Sequence, residues 1–196
     1  MTSGAVTAVI LAGGRSSRFG RDKLAESVDG RALLLHAIAG AEPFVTQILV
    51  VAAPGSSPTL PPSVTLVHDP VAFEGPLAGL LAGLGAATAA VVLVIGGDMP
   101  TVVPAVIESM LRELEESGAD AVVLEVEDRP RPLPLILRRT PALAAADRLF
   151  RGGERRLRAL PEALALRTIP ETTWRTLDPD GRTIRDIDTP ADLAPG

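Results

Sequence analysis

Residues 11–23 read Leu11-Ala12-Gly13-Gly14-Arg15-Ser16-Ser17-Arg18-Phe19-Gly20-Arg21-Asp22-Lys23 and gather chemistry that the rest of the chain lacks. Adjacent glycines permit positive φ and close backbone approach, so successive N–H groups can face one anion. Arg15, Arg18 and Lys23 add positive charge in a chain of net charge −5. Lys23 is the single lysine; every other basic residue among the 19 is arginine. An ammonium is a compact point charge on a flexible stem, able to reach a phosphate oxygen. The segment therefore reads as a polyphosphate site. It is not a Walker loop, because Gly-Arg-Asp-Lys stands where that loop needs Gly-Lys-Ser/Thr. The G-x-G-x-x-G dinucleotide spacing is absent as well.

Carboxylates form the second group of candidates. Asp98 follows the apolar run 91–95 and two glycines, which places it beyond a buried strand. Asp69 ends the run Val-Thr-Leu-Val-His-Asp, and it is equally suited to a turn before Pro70. Asp186 and Asp188 lie in Arg-Asp-Ile-Asp-Thr-Pro, where Asp188 or Thr189 can also cap a helix that begins at Pro190. Asp98 has a capping alternative too, although Thr101 is the nearer cap for the helix that follows. Arg155 and Arg156, in Gly-Gly-Glu-Arg-Arg, offer guanidinium forks that match phosphate oxygens. Their other reading is a solvated basic start to a helix. His68 reads as a packed or surface histidine.

These residues need elements to position them. The apolar run at 5–12 reads as a strand buried on both faces and 47–53 as a second buried strand; 64–69 reads as a third strand ending at an acid, and 89–98 is the strongest strand signal. Residues 32–41 and 76–87 have helical composition, the latter opening on proline. In 103–118, Val103, Val106, Ile107, Met110, Leu111 and Leu114 share one helical face, and Gly118 stands where a stop belongs. Further strands are expected at 120–126 and 131–139, the second at an edge or distorted because of its prolines. Thr140-Pro141 reads as the start of a short helix, the stretch from Gly152 as a loop leading into helix, and 182–193 as a strand followed by a helix start. The alternation predicts an α/β domain spanning 1–196, with a mostly parallel sheet between two layers of helices. Ligands in such folds bind beyond the carboxyl ends of the strands, where Gly13, Gly14, Asp69 and Asp98 fall.

Composition narrows the chemistry. Without cysteine there is no disulfide, thiolate nucleophile or zinc–thiolate site. An acidic chain lacks the basic surface that nonspecific nucleic-acid binding requires. The N-terminal apolar run is too short for a membrane span and has no basic segment before it, so a cytoplasmic location is expected.

Taken together, Leu-Ala-Gly-Gly-Arg-Ser-Ser-Arg-Phe-Gly-Arg-Asp-Lys, Gly-Pro-Leu-Ala-Gly-Leu (75–80), Gly-Gly-Asp-Met-Pro (96–100), Gly-Gly-Glu-Arg-Arg-Leu-Arg-Ala-Leu (152–160) and Asp-Ile-Asp-Thr-Pro-Ala-Asp-Leu (186–193) closely resemble the MobA-like nucleotidyltransferases, in that family's order and over almost the whole chain. Phe19 stands where methionine is usual. The resemblance implies a Rossmann-like three-layer nucleotidyltransferase fold. It is strongest to the guanylyltransferase branch, which transfers GMP from GTP to the molybdopterin cofactor with magnesium and releases pyrophosphate. A molybdoenzyme or a delivery protein would then be a possible further partner.

By the same resemblance, Leu11, Ala12, Gly13, Gly14, Lys23, Asp69, Gly79 and Asp98 are expected to bind the nucleotide. Lys23, Arg18 and Asp98 are expected to serve catalysis, with Asp98 and then Asp188 holding Mg2+. The Leu-Ala-Gly-Gly start favours GTP; the cytidylyl branch usually has Leu-Ala-Ala-Gly. One departure bears on the base. Guanylyltransferases commonly carry an asparagine at the end of the second strand, whereas this chain has Ala52 and Ala53 there and no asparagine at all. The alternatives are a cytidylyltransferase, or another nucleotidyltransferase, acting on molybdopterin or another phosphorylated acceptor. A non-catalytic nucleotide-binding module is a further alternative.

Overall fold

The computed structural model describes residues 5–13, 23–28, 30–69 and 75–187. Strand and helix alternate through most of it. The strands are β1 (Val6–Leu11), β2 (Ser27–Val28), β3 (Arg31–Ala32), β4 (Gln47–Ala52), β5 (Val64–His68), β6 (Val91–Gly96), β7 (Ala121–Val126), β8 (Arg129–Arg138) and β9 (Leu166–Ile169). The helices are α1 (Leu33–Ala41), α2 (Pro76–Ala86), α3 (Pro104–Ser117), α4 (Arg139–Arg151), α5 (Ala159–Glu162) and α6 (Glu171–Trp174).

Seven strands form one sheet in the order β5-β4-β1-β6-β8-β7-β9, and β2 and β3 make a separate two-stranded hairpin. Within the sheet β8 alone runs against its neighbours; the other pairings are parallel. The period of two along the central strands sorts their side chains between two cores. Ala8, Ile10, Leu93 and Ile95 face α1 and α3, whereas Val9, Val92 and Val94 face α2 and α4. This is the expected α/β sandwich with helices on both faces. Helix α2 lies close to the sheet at Gly83, where an added Cβ would come within 2.6 Å of Val9 Cγ1. None of the helices among the described residues is long and apolar enough to cross a membrane.

Helix α3 matches its sequence pattern. Val106, Ile107, Met110, Leu111 and Leu114 are buried, and Gly118 ends the helix in the left-handed region at φ 68°. Its start differs from expectation: Val103 occupies the cap position and no side chain caps it, so neither Thr101 nor Asp98 plays that role. Helix α4 begins at Arg139 rather than at Pro141, and Thr140 does not cap it. Residues 182–184 form a 3-10 turn rather than a strand.

The proline-rich strand β8 is interior rather than at an edge, and it is distorted. Only its residues Leu135, Ile136, Leu137 and Arg138 pair with β6. Pro130, Pro132 and Pro134 lie outside that ladder, so their missing N–H groups cost no bond to β6. The ladder to β7 also shifts register between Val123 and Glu125. This reach carries the first half of β8 out to the carboxyl edge of the parallel strands.

Candidate active site

Because β1, β4, β5 and β6 are parallel neighbours, the residues that follow them share one edge of the sheet. Leu11 ends β1, Ala52 ends β4, Asp69 follows β5 and Asp98 follows β6. Backbone bonds lace these ends together. Ala12 N–H donates to Val51 O at 2.7 Å, Asp69 N–H to Ala52 O at 2.9 Å and Gly97 N–H to Leu11 O at 2.9 Å.

At this edge the lone lysine meets the candidate metal ligand. Lys23 Nζ donates to Asp98 Oδ2 at 3.0 Å across 75 positions of sequence. The lysine side chain is 12% exposed and the aspartate 31%, so the pair is largely shielded from solvent. Two glycines make room for it. A Cβ on Gly96 would collide with Asp98 Oδ1, so only glycine lets the carboxylate lie over the end of β6. A Cβ on Gly97 would stand 3.3 Å from Leu11 O, Leu24 Cδ1 and Leu34 Cδ1. The Asp98 carbonyl accepts the Ile187 N–H at 3.0 Å. Sequence reasoning missed that bond, and it seats the residue just before Asp188 against Asp98.

A second cluster lies beside the first. A Cβ built on Gly79 would be 3.7 Å from Asp69 Oδ2 and 3.9 Å from Leu11 Cδ2. Leu11, Asp69 and Gly79 therefore lie close together. Gly13 faces the backbone of β4, with Ala53 N 3.8 Å from its built Cβ. The alanines that replace the usual asparagine thus sit beside the glycine-rich loop. Gly14, Arg15, Arg18 and Asp188 lie outside the described residues.

The other candidates have structural partners. Arg156 makes a two-pronged contact with Glu154, at 3.0 Å to Oε1 and 2.6 Å to Oε2. That bond, with the N–H groups of Arg156 and Arg155, lowers the Glu154 pKa to about 2. Arg155 donates to the carbonyls of Phe150 and Glu154 and stacks 4.2 Å above the Phe150 ring. Arg156 is thus paired with Glu154, and Arg155 Nη1 with backbone carbonyls, at the two positions read either as phosphate ligands or as a basic helix start. The backbone of the loop still borders the site, because Arg155 O accepts from Leu77 N–H at 3.3 Å, and Gly75, at φ 91°, passes it too closely for any side chain. His68 is exposed and contacts Ser56 O at 3.0 Å.

Asp186 forms an ion pair with Arg131 at 3.3 Å. Asp178, a residue that sequence reasoning passed over, is 3% exposed and accepts the N–H groups of Arg182 and Thr183 at 3.0 and 2.7 Å. Burial opposes its charge, but the bonds from Thr183 and Arg182 outweigh burial and hold the carboxyl below the usual range. The Asp-Pro-Asp-Gly turn was the available sign of it.

The donor set suits a hard divalent cation bound together with substrate. Lys23 engages Oδ2 of Asp98, and among the described residues no partner meets Oδ1. No cluster of three or more acidic or histidine side chains surrounds it among the described residues. One carboxylate completed by phosphate oxygens and water is the usual magnesium arrangement at such sites.

The chain as a whole is similar to known proteins. The model of the MobA-like NTP transferase domain matches residues 8–168. A probable molybdenum cofactor guanylyltransferase of Chloroflexus aggregans is 34% identical over 195 residues, covering 96% of this chain and 91% of its own. A molybdenum cofactor guanylyltransferase of Shewanella putrefaciens is 32% identical over 155 residues, 78% of each chain. The crystal structure of molybdopterin-guanine dinucleotide biosynthesis protein A from Archaeoglobus fulgidus superposes with a TM-score of 0.79 at 26% identity, covering 95% of this chain and 94% of that one.

Proposed function

The chain belongs to the MobA-like NTP transferase family, a family of nucleotidyltransferases, and from that premise we propose that it transfers GMP from GTP to the molybdopterin cofactor and releases pyrophosphate. The observation that carries the reading is the Lys23–Asp98 pair at the carboxyl edge of the sheet. It sets one mobile cation and one hard oxygen ligand where a triphosphate would lie.

In the proposed reaction an oxygen of the acceptor phosphate forms a bond to the α-phosphorus. The bond from the α-phosphorus to the bridging oxygen breaks, and the electron pair leaves with pyrophosphate. A phosphate nucleophile is already ionised near neutral pH, so the protein need supply no general base. Its task is alignment and charge neutralisation. Lys23 places its ammonium on the triphosphate, assisted by Arg18. Backbone N–H groups of residues 11–14 approach the nucleotide because glycine keeps side chains out of the way. Asp69, with Gly79 leaving space beside it, contacts the base or ribose. Asp98, with Asp188 as a second ligand, would hold Mg2+. That ion supplies charge neutralisation and alignment of the phosphate oxygens when bound.

Cytidylyl transfer is a second reading, favoured by Ala52 and Ala53 in place of a base-contacting asparagine. The test is magnesium-dependent pyrophosphate release in the presence of molybdopterin, comparing GTP, CTP, ATP and UTP. Release with GTP alone is expected. Release with CTP alone would replace the base assignment, and release with none would remove the proposed reaction.

A further inference from the structure

We propose that Arg131 is a positioning residue for Asp98, acting through the chain segment 182–187. Arg131 stands on the outer half of β8, and its Nη2 donates to Ile184 O at 2.7 Å and to Asp186 Oδ1 at 3.3 Å. Three residues after Ile184, the Ile187 N–H meets the Asp98 carbonyl at 3.0 Å. The front of the segment is held independently. Asp178 binds the N–H groups of Arg182 and Thr183, and Thr183 Oγ1 accepts the Val103 N–H at 3.1 Å. Burial of the Ile187 side chain, 4% exposed, anchors the far end without orienting its amide. Among the described residues, Arg131 ties the stretch between these anchors to β8 through its side chain.

Fixing that stretch matters because the peptide that accepts from Ile187 carries the Asp98 carboxylate. Asp98 sits on a turn of two glycines closed by a Met99 N–H bond to Gly96 O at 3.2 Å. Gly97 N–H donates to Leu11 O and Met99 is buried, so rotation of the turn is resisted on that side, while the Asp98 carbonyl is held by Ile187. The Ile187 bond supplies resistance, and Arg131 holds Ile187 in place to make it.

The exposed Arg131–Asp186 ion pair contributes little to global stability. Losing Arg131 is therefore expected to loosen the segment without unfolding the protein. The experiment is amide hydrogen exchange at Ile187 in the intact protein, together with the Mg2+ dependence of pyrophosphate release. Arg131→Ala should raise Ile187 exchange by about 10-fold or more, as expected for loss of a charged hydrogen bond. It should raise the Mg2+ half-saturation by several fold, with a melting temperature close to that of the parent. Arg131→Lys keeps the charge without the planar fork and should show the same changes at smaller size. That variant also serves if the alanine variant fails to fold.

Unchanged Ile187 exchange in a folded Arg131→Ala protein would overturn the proposal. Arg131 also faces a groove of about 420 Å3, shared with Arg129, Arg158 and Glu162. If Arg129→Ala and Arg158→Ala reproduced the kinetic loss without altering Ile187 exchange, the arginines would be binding a ligand there, and the positioning role would fall. The kinetic arm rests on the proposed transferase reaction, whereas the exchange arm does not. If the parent showed no pyrophosphate release, the reaction would fail while the exchange result still judged Arg131.

Discussion

Gly96→Ala separates the geometry of Asp98 from its presence. The added methyl would fall on Asp98 Oδ1 and 3.4 Å from Met99 Cγ. The carboxylate must turn away, which costs about 0.5–1.5 kcal/mol for an off-rotamer side chain. It also loses the 3.0 Å contact with Lys23, a partly exposed pair worth at most about 1 kcal/mol. Replacing glycine by alanine inside a strand returns roughly 0.5–1 kcal/mol through lower chain entropy. The net change in stability is thus about 1 kcal/mol, a shift of roughly 2–4 °C in melting temperature for a domain of this size. Displacing a reacting-site group by about 1 Å costs on the order of 10²-fold in rate. The assay is pyrophosphate release beside thermal unfolding by circular dichroism. A folded Gly96→Ala enzyme with turnover within about three-fold of the parent would refute the claim that glycine is needed to seat the carboxylate.

Other outcomes follow from the same contacts. Lys23→Ala should reduce turnover by about 10²–10³-fold, the usual loss for one charge-stabilising donor, while the protein stays folded; full turnover in a folded variant would remove Lys23 from catalysis. Asp178→Ala leaves the Arg182 and Thr183 N–H groups without their acceptor and should cost about 2–4 kcal/mol, read by chemical denaturation. The folded carboxyl lies below its unfolded value, so this contribution is whole above the ordinary carboxylate range and is lost as pH falls through the folded value. The stability gap between Asp178→Asn and the parent should therefore narrow on acidification. Glu154, lowered to about 2, should stay ionised and paired with Arg156 at pH 4. A carboxyl titration by NMR with a midpoint near 4.5 would show that the pair does not persist in solution.

The parallel half of the fold was legible because buried central strands are short apolar runs and each ends in a sequence signal. Val91–Gly96 followed by Gly97-Asp98 is the clearest case. The C-terminal half was less legible. Strand β9 reads Leu-Arg-Thr-Ile, too short and mixed to stand out, and α6 has only four residues. The prolines of β8 suggested an edge or a distorted position, and sequence could not choose between them because it does not show how far a strand outruns its neighbour. At the site, Lys23 stood out by residue type and Asp98 mainly by the family resemblance; their 3.0 Å contact joins residues that come after the neighbouring parallel strands β1 and β6. The ties of Arg131 and Ile187 were hidden, since they join groups far apart in sequence that carry no local pattern, whereas Asp178 had a local sign in its Asp-Pro-Asp-Gly turn. The type of Arg155 and Arg156 allowed either a ligand or a structural role, and sequence did not show the contacts with Glu154 and nearby carbonyls that the fold gives them.

Trp174 gives the C-terminal half an optical signature of its own. It is the only tryptophan, the chain has no tyrosine, and its ring is buried with Nε1 donating to Glu125 O at 2.8 Å. Intrinsic fluorescence of the protein therefore comes almost entirely from one spot, where α6 docks on β7. Its emission registers whether α6 stays docked on β7, so comparison with circular dichroism, which averages over every helix and strand, reveals whether that contact is lost with the rest of the fold or before it.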